Sequence, residues 1–148
     1  MTIRLIKPEE LSQLLALYAH LHPEEPEIDY SDDAVQSLWR HILEQPHLRY
    51  YVAEKDRRLV ASCTLAIIPN LTHDLRPYGV VQNVITDPHY RKKGFGTKVL
   101  RKALEDAWAA GCYKVVLSTL DKSRDTVRFY EGAGFQSNQR THFIAYPQ

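Results

Sequence analysis

Ile3 and Leu5 alternate with polar neighbours, which predicts a short opening strand. Pro8-Glu9-Glu10 then opens a helix, with proline near its first position and acids in its first turn. Leu11, Leu14, Leu15 and Tyr18 repeat at helical spacing. Leu21–Tyr30 holds two prolines, four acids and little to bury, so it reads as a connecting loop. Ser31 is the expected cap of a second helix, with Val35, Leu38, Trp39 and Ile42 as its buried stripe and Pro46 as its end. Tyr50–Ala53 and Leu59–Ile68 are aromatic and β-branched runs about the polar turn Lys55–Arg58, which predicts a hairpin. Pro69–Pro77 reads only as a loop, and Gly79–Thr86 as another strand.

From Thr97 to about Ala110 the helical period returns, placing Leu100, Ala103, Leu104, Ala107 and Trp108 on one face, and Gly111 is suited to stop it. Tyr113–Leu117 is nearly unbroken apolar sequence, the mark of a strand buried on both faces. A short helix is expected over Arg124–Ala133, closed by Gly134, and a final strand within Gln136–Tyr146. The order is β, α, α, a β meander, then β-α-β-α-β. It fits one mixed α/β domain over residues 1–148, with a central sheet flanked by helices. The two strand–helix–strand crossings should be right-handed and locally parallel.

Composition narrows the function classes. At 148 residues, 44% hydrophobic and 25% charged, the chain can bury a core without metal or disulfide staples. Its 19 basic and 18 acidic residues leave a charge of +1, so bulk electrostatics offer no case for nucleic acid or an anionic membrane as partner. No apolar run approaches the ~20 residues of a membrane-spanning helix, and the first residues lack a secretory core, so the cytoplasm is the expected location. Cys63 and Cys112 lie in apolar runs without Cys-x-x-Cys spacing and read as buried, reduced thiols. The seven histidines form no metal-ligand spacing, and no metal is expected.

The chemistry-bearing stretch runs from Val80 to Thr97. A strand enters the basic turn Arg91-Lys92-Lys93-Gly94-Phe95-Gly96, and a helix follows. Glycines at 94 and 96 are expected to permit positive φ and close approach of a ligand. A helix start presents unpaired N–H groups and partial positive charge, which suits an anion. The turn is no P-loop, since Gly96 rather than lysine precedes Thr97, and it lacks the third glycine of a dinucleotide fingerprint. Taken alone, the turn could equally be a solvated charged turn before a helix.

Arg91-Lys92-Lys93-Gly94-Phe95-Gly96 resembles the Arg/Gln-x-x-Gly-x-Gly/Ala motif of the GCN5-related N-acetyltransferase (GNAT) family. Val127–Phe135, with Phe129-Tyr130-Glu131 and Gly134-Phe135, looks like that family's later signature. The likeness runs from about Leu59 to the C-terminus, and Gly111-Cys112-Tyr113-Lys114 onward is similar to glucosamine-phosphate N-acetyltransferases. The resemblance implies a mostly antiparallel mixed sheet with splayed middle strands, and acetyl-CoA as cosubstrate. It puts the diphosphate on Arg91, Lys92, Lys93, Gly94, Phe95, Gly96 and Thr97, and the pantetheine arm along Val84, Ile85 and Thr86. Ser123 stands where many members have a cofactor-touching asparagine, although serine there can equally cap a helix. Dimers are common in the family.

Acetylating an amine requires removing its proton, polarising the thioester carbonyl and protonating the departing thiolate. The resemblance makes Tyr130 the general acid, and a phenol suits that task because it stays protonated at neutral pH. Where family members often carry an acid on the splayed strand, this chain has Gln82-Asn83, neither of them a base. These two are expected to contact the acceptor, a small-molecule or peptide amine, and the base is left unassigned. The rival reading is a non-catalytic acyl-CoA-binding module that keeps the loop but does no chemistry.

Overall fold

A computed structural model describes all 148 residues. Five strands form one sheet in the order β1 (Thr2–Leu5), β2 (Leu48–Lys55), β3 (Arg58–Ile68), β4 (Tyr78–Thr86) and β5 (Val115–Val116). The first three pairings are antiparallel, and β4 pairs β5 in parallel. Helices α1 (Leu11–Leu21) and α2 (Asp33–Glu44) precede β2; α4 (Phe95–Ala109) and α5 (Arg124–Gly132) follow β4 and β5. A left-handed turn, α3 (Thr72–Leu75), lies in the loop before β4, with His73, Asp74 and Leu75 all at positive φ.

Alternation along the strands divides the core between the two faces of the sheet. Tyr51 and Ala53 of β2, with Cys63 and Leu65 of β3, pack against Phe95, Val99, Leu100, Ala103 and Ala107 of α4. On the opposite face, Val52 and Ile85 pack against Leu17 of α1, while Leu11, Leu14 and Trp39 join α1 to α2. Two packed aromatics have their polar atoms paired: the Trp39 indole donates to Pro8 O at 2.8 Å and the Tyr51 hydroxyl donates to Asp106 at 2.8 Å. The β2–β3 hairpin closes through Asp56 and Arg57, both at positive φ, as a two-residue turn that follows the sheet's twist requires.

Several expectations fail for identifiable reasons. The expected strand in Gln136–Tyr146 is absent; that segment has no paired backbone, and Phe143, Ile144 and Tyr146 are exposed. Tyr113–Leu117 is not buried on both faces, because β5 pairs β4 at only two positions and Val116 is exposed. Leu38 and Trp108 also face solvent. Ser31 does not cap α2; Asp32 does, accepting from Ala34 N–H at 2.8 Å, while Ser31 donates to the Asp29 carboxylate. No helix is long and apolar enough to cross a membrane.

Candidate active site

The site begins with a break in β4. Thr64 faces Gln82 and Ser62 faces Ile85, so Asn83 and Val84 together stand opposite Cys63 alone. This is a β-bulge, and Asn83 absorbs it at φ 52°, a left-handed conformation that asparagine tolerates better than most residues. The extra residue reverses the alternation: Val81 and Val84 both pack toward α4, while Ile85 turns to the α1 face. It also turns Gln82 and Asn83 into the open. Since β4 touches β5 only at Gly79 and Val80, the edge of β4 from Val81 to Thr86 is free on that side. Val84, Ile85 and Thr86 therefore lie on an open backbone edge of the kind that can hydrogen-bond an extended amide chain.

Beyond β4, Asp87 fixes the direction of the chain. Its N–H donates to Val60 O at 2.8 Å and its carboxylate accepts from His89 N–H at 2.9 Å. Arg91, Lys92 and Lys93 follow, all exposed, and Gly94 takes φ 87° as the residue before α4. The first bond of the helix runs from Lys98 N–H to Gly94 O. The N–H groups of Phe95, Gly96 and Thr97 thus occupy the turn that a helix cannot satisfy internally, three cations beside them.

The two glycines serve different ends. A side chain on Gly94 would meet nothing within 4 Å, so its glycine answers to the left-handed backbone. Gly96 is helical, contrary to the expected positive φ; a Cβ there would lie 2.9 Å from Thr86 Oγ1 and 3.0 Å from Phe129 Cζ. Its smallness lets α4 approach the end of β4 and α5. Phe95 likewise offers only its backbone to a ligand, because its ring is buried in the core.

Helix α5 carries Tyr130, whose ring stands edge-on to Phe129 at 5.0 Å and to Phe135 at 6.2 Å. Burial raises the phenol above its ordinary value, and Cys63 and Asp121 push in the same direction, so the neutral form is favoured. Ser123 caps α5, accepting from Thr126 N–H at 3.3 Å. Asp121, which sequence reasoning missed, accepts from the Thr126 hydroxyl at 2.6 Å and from Ser123 N–H at 2.9 Å. These bonds, the Thr126 hydroxyl foremost, hold its carboxyl below the usual range.

Tyr130 and Val81–Val84 line one cavity of about 180 Å³, completed by Leu117, Ser118 and Thr119 after β5, by Leu21 at the end of α1 and by His22 beyond it. Of the expected site residues, the structure brings Tyr130, Gln82, Asn83 and Val84 to this cavity, while Arg91–Thr97 lie beyond the other end of the open β4 edge. Leu117–Thr119 were not foreseen; Leu21–Tyr30 and Pro69–Pro77 were the loops expected to line the pocket, without a readable signature, and only the first reaches it, through Leu21 and His22. Behind the bulge the Tyr18 and Thr64 hydroxyls are buried without hydrogen-bond partners. Burial pushes the Tyr18 phenol up to about 12, and nearby Thr64 and Asn83 pull it back without closing a bond of normal geometry.

The family model described as the acetyltransferase (GNAT) family matches residues 12–135. The chain belongs to the GNAT acetyltransferase family. A solved structure from Agrobacterium tumefaciens str. C58 that carries an acetyltransferase name superposes with a TM-score of 0.92 at 38% identity, over 99% of this chain and 100% of that one. A glucosamine 6-phosphate N-acetyltransferase of Trypanosoma brucei brucei is 29% identical over 140 residues, 93% of this chain and 90% of the relative. An aminoalkylphosphonate N-acetyltransferase of Salmonella typhimurium is 30% identical over 117 residues, 79% of this chain and 72% of the relative. This GNAT protein is therefore an acetyl-CoA-dependent N-acetyltransferase.

Proposed function

We propose that this N-acetyltransferase acetylates the primary amine of a small molecule or peptide by direct attack within a ternary complex. Acetyl-CoA lies along the free edge of β4, with its amide arm on Val84, Ile85 and Thr86 and its diphosphate over Arg91–Thr97. The acceptor enters the cavity between Gln82, Asn83 and Tyr130. The observation that carries this reading is the opening between β4 and β5, flanked by Tyr130 and leading to a basic helix start. Both substrates then meet in one gap, and holding them in attack geometry supplies much of the rate.

In this reading the amine nitrogen bonds to the acetyl carbon and the carbon–sulfur bond breaks. Tyr130 gives its proton to the sulfur, a task suited to a phenol that burial keeps neutral. Gln82 and Asn83 orient the amine through their side-chain amides. Ser123 retains a hydroxyl proton to donate toward the cofactor while its oxygen caps α5.

Two relatives bear the names of small amines with a phosphate or phosphonate group, which favours the small-molecule end of this range. The chain acts in this view as one domain over residues 1–148. The deciding experiment incubates the protein with acetyl-CoA and a panel including glucosamine 6-phosphate, aminoalkylphosphonates and short peptides. Thiol release and product mass are followed together. The reading predicts amine-dependent thiol release with one acetyl group on the product nitrogen; thiol release without an acetylated amine would contradict it.

A further inference from the structure

The chain lacks an acid on the splayed strand, so something else must take the proton of the acceptor ammonium. Of all the residues lining the cavity, only His22 and Tyr130 can change charge by titration. Tyr130 is engaged as the acid in the proposed function, on which this inference rests. We propose that His22, oriented by Glu24, is the general base of the transfer.

Local sequence puts His22 there. It is the C-cap of α1, its N–H donating to Tyr18 O at 3.0 Å. Pro23 follows, and a residue before proline avoids the helical region, which here ends the helix at the cavity mouth. The His22 Nδ1 lies 3.3 Å from Glu24 Oε1. An ionised carboxylate only accepts, so Nδ1 carries the hydrogen and Nε2 keeps the lone pair that a base needs. Glu24 and Glu25 both bring a carboxylate oxygen within 4.8 Å of the imidazole. They balance the positive charge that proton transfer creates. Facing His22 from the other elements are Gln82 and Asn83 of β4, Ser118 and Thr119 after β5, all uncharged, and Tyr130 of α5. The carboxylates are exposed, so solvent screens their help and the histidine itself must carry most of the effect.

The proton balance closes. A bound ammonium sheds one proton to His22 Nε2, directly or through one water, and His22 returns it to solvent. The freed lone pair forms the carbon–nitrogen bond as the carbon–sulfur bond breaks. The sulfur takes the Tyr130 proton, and the second proton leaving nitrogen restores the phenol.

The test is the pH dependence of kcat/KM for wild type, His22→Gln, Glu24→Gln and Tyr130→Phe, with whichever of glucosamine 6-phosphate, 2-aminoethylphosphonate or a short peptide wild type acetylates. His22→Gln should lower kcat/KM about 100-fold near neutral pH and leave acetyl-CoA affinity unchanged. Its acidic limb should lose the enzyme's ionisation and keep only that of the amine. Glu24→Gln should cost several-fold and move the acidic limb to lower pH, a displacement that a merely structural role would not produce. Tyr130→Phe should lose turnover with the acidic limb in place. A His22→Gln enzyme within about twofold of wild type, with the limb intact, would overturn His22 as base while leaving acetyl transfer at this site standing. If wild type acetylates no amine of that panel, acetyl transfer in this cavity fails and the role of His22 fails with it.

Discussion

A Cβ on Gly96 would sit 3.0 Å from the ring of Phe129, so the first turn of α4 and the helix that carries Tyr130 are in direct contact. The proposed diphosphate loop and the proposed acid are thereby held by one packing contact, with Thr86 wedged against the same point. Gly96→Ala should overpack this contact and destabilise the protein by about 1–3 kcal/mol. The double variant Gly96→Ala with Phe129→Leu should recover part of that loss. Urea unfolding of Gly96→Ala, Phe129→Leu and the double variant checks it, and no coupling between the two substitutions would contradict the contact.

Gly94→Ala is expected to behave differently. No atom stands near its Cβ, and the cost is the left-handed φ of 87°, about 1–2 kcal/mol. If the loop relaxes to escape that conformation, its N–H groups leave the anion site. Calorimetry should then show acetyl-CoA affinity falling at least tenfold in a folded protein. Unchanged affinity would remove this loop from cofactor binding.

Glu10 ties β1 to the start of α1. Arg4 donates to both its oxygens, at 2.8 and 2.7 Å, and Lys7 N–H donates at 2.7 Å, while Arg4 also holds Glu54. The Arg4 guanidinium holds the Glu10 carboxyl below its ordinary value. A carboxyl lowered on folding stabilises above its unfolded pKa of about 4.3, and that gain is lost as pH falls through the native value. Glu10→Gln should therefore cost about 1.5–3 kcal/mol at pH 7, and the gap to wild type should close in acid. Urea midpoints at pH 7 and in acid, below the native value of Glu10, measure this, and a gap that persists in acid would contradict it.

Burial pushes the Cys63 thiol up to about 12 and raises Cys112 as well. Because the thiolate is the reacting form, neither cysteine should react with a disulfide reagent at pH 8 until the protein is unfolded. Rapid labelling of the native protein would contradict the packing beneath β3.

Periodic packing was the legible part of this molecule. Leu100, Ala103, Leu104 and Ala107 recur at helical spacing, and all four are buried. The basic turn and the Phe129-Tyr130 motif likewise announce themselves, because each is a local run of residues. The bulge at Asn83 was not legible, since it exists only through pairing with Cys63 on another strand. The place of His22 was hidden for a similar reason: it comes to line one cavity with Gln82 and Tyr130 only after the chain has folded around the β4–β5 gap. The supposed C-terminal strand shows the converse error. Phe143, Ile144 and Tyr146 have strand-forming side chains, but a strand needs a partner edge, and this segment pairs with none.

The claim on which the rest depends is that Tyr130 protonates the departing thiolate in the gap between β4 and β5. Tyr130→Phe removes one oxygen and keeps the ring between Phe129 and Phe135, so the fold should survive. Steady-state turnover with an accepted amine, beside calorimetric acetyl-CoA binding to the same variant, tests it most directly. The expected result is a kcat lower by about 100-fold with a nearly unchanged Kd, because the hydroxyl acts as charge develops on sulfur. A kcat within about twofold of wild type would take Tyr130 out of the chemistry.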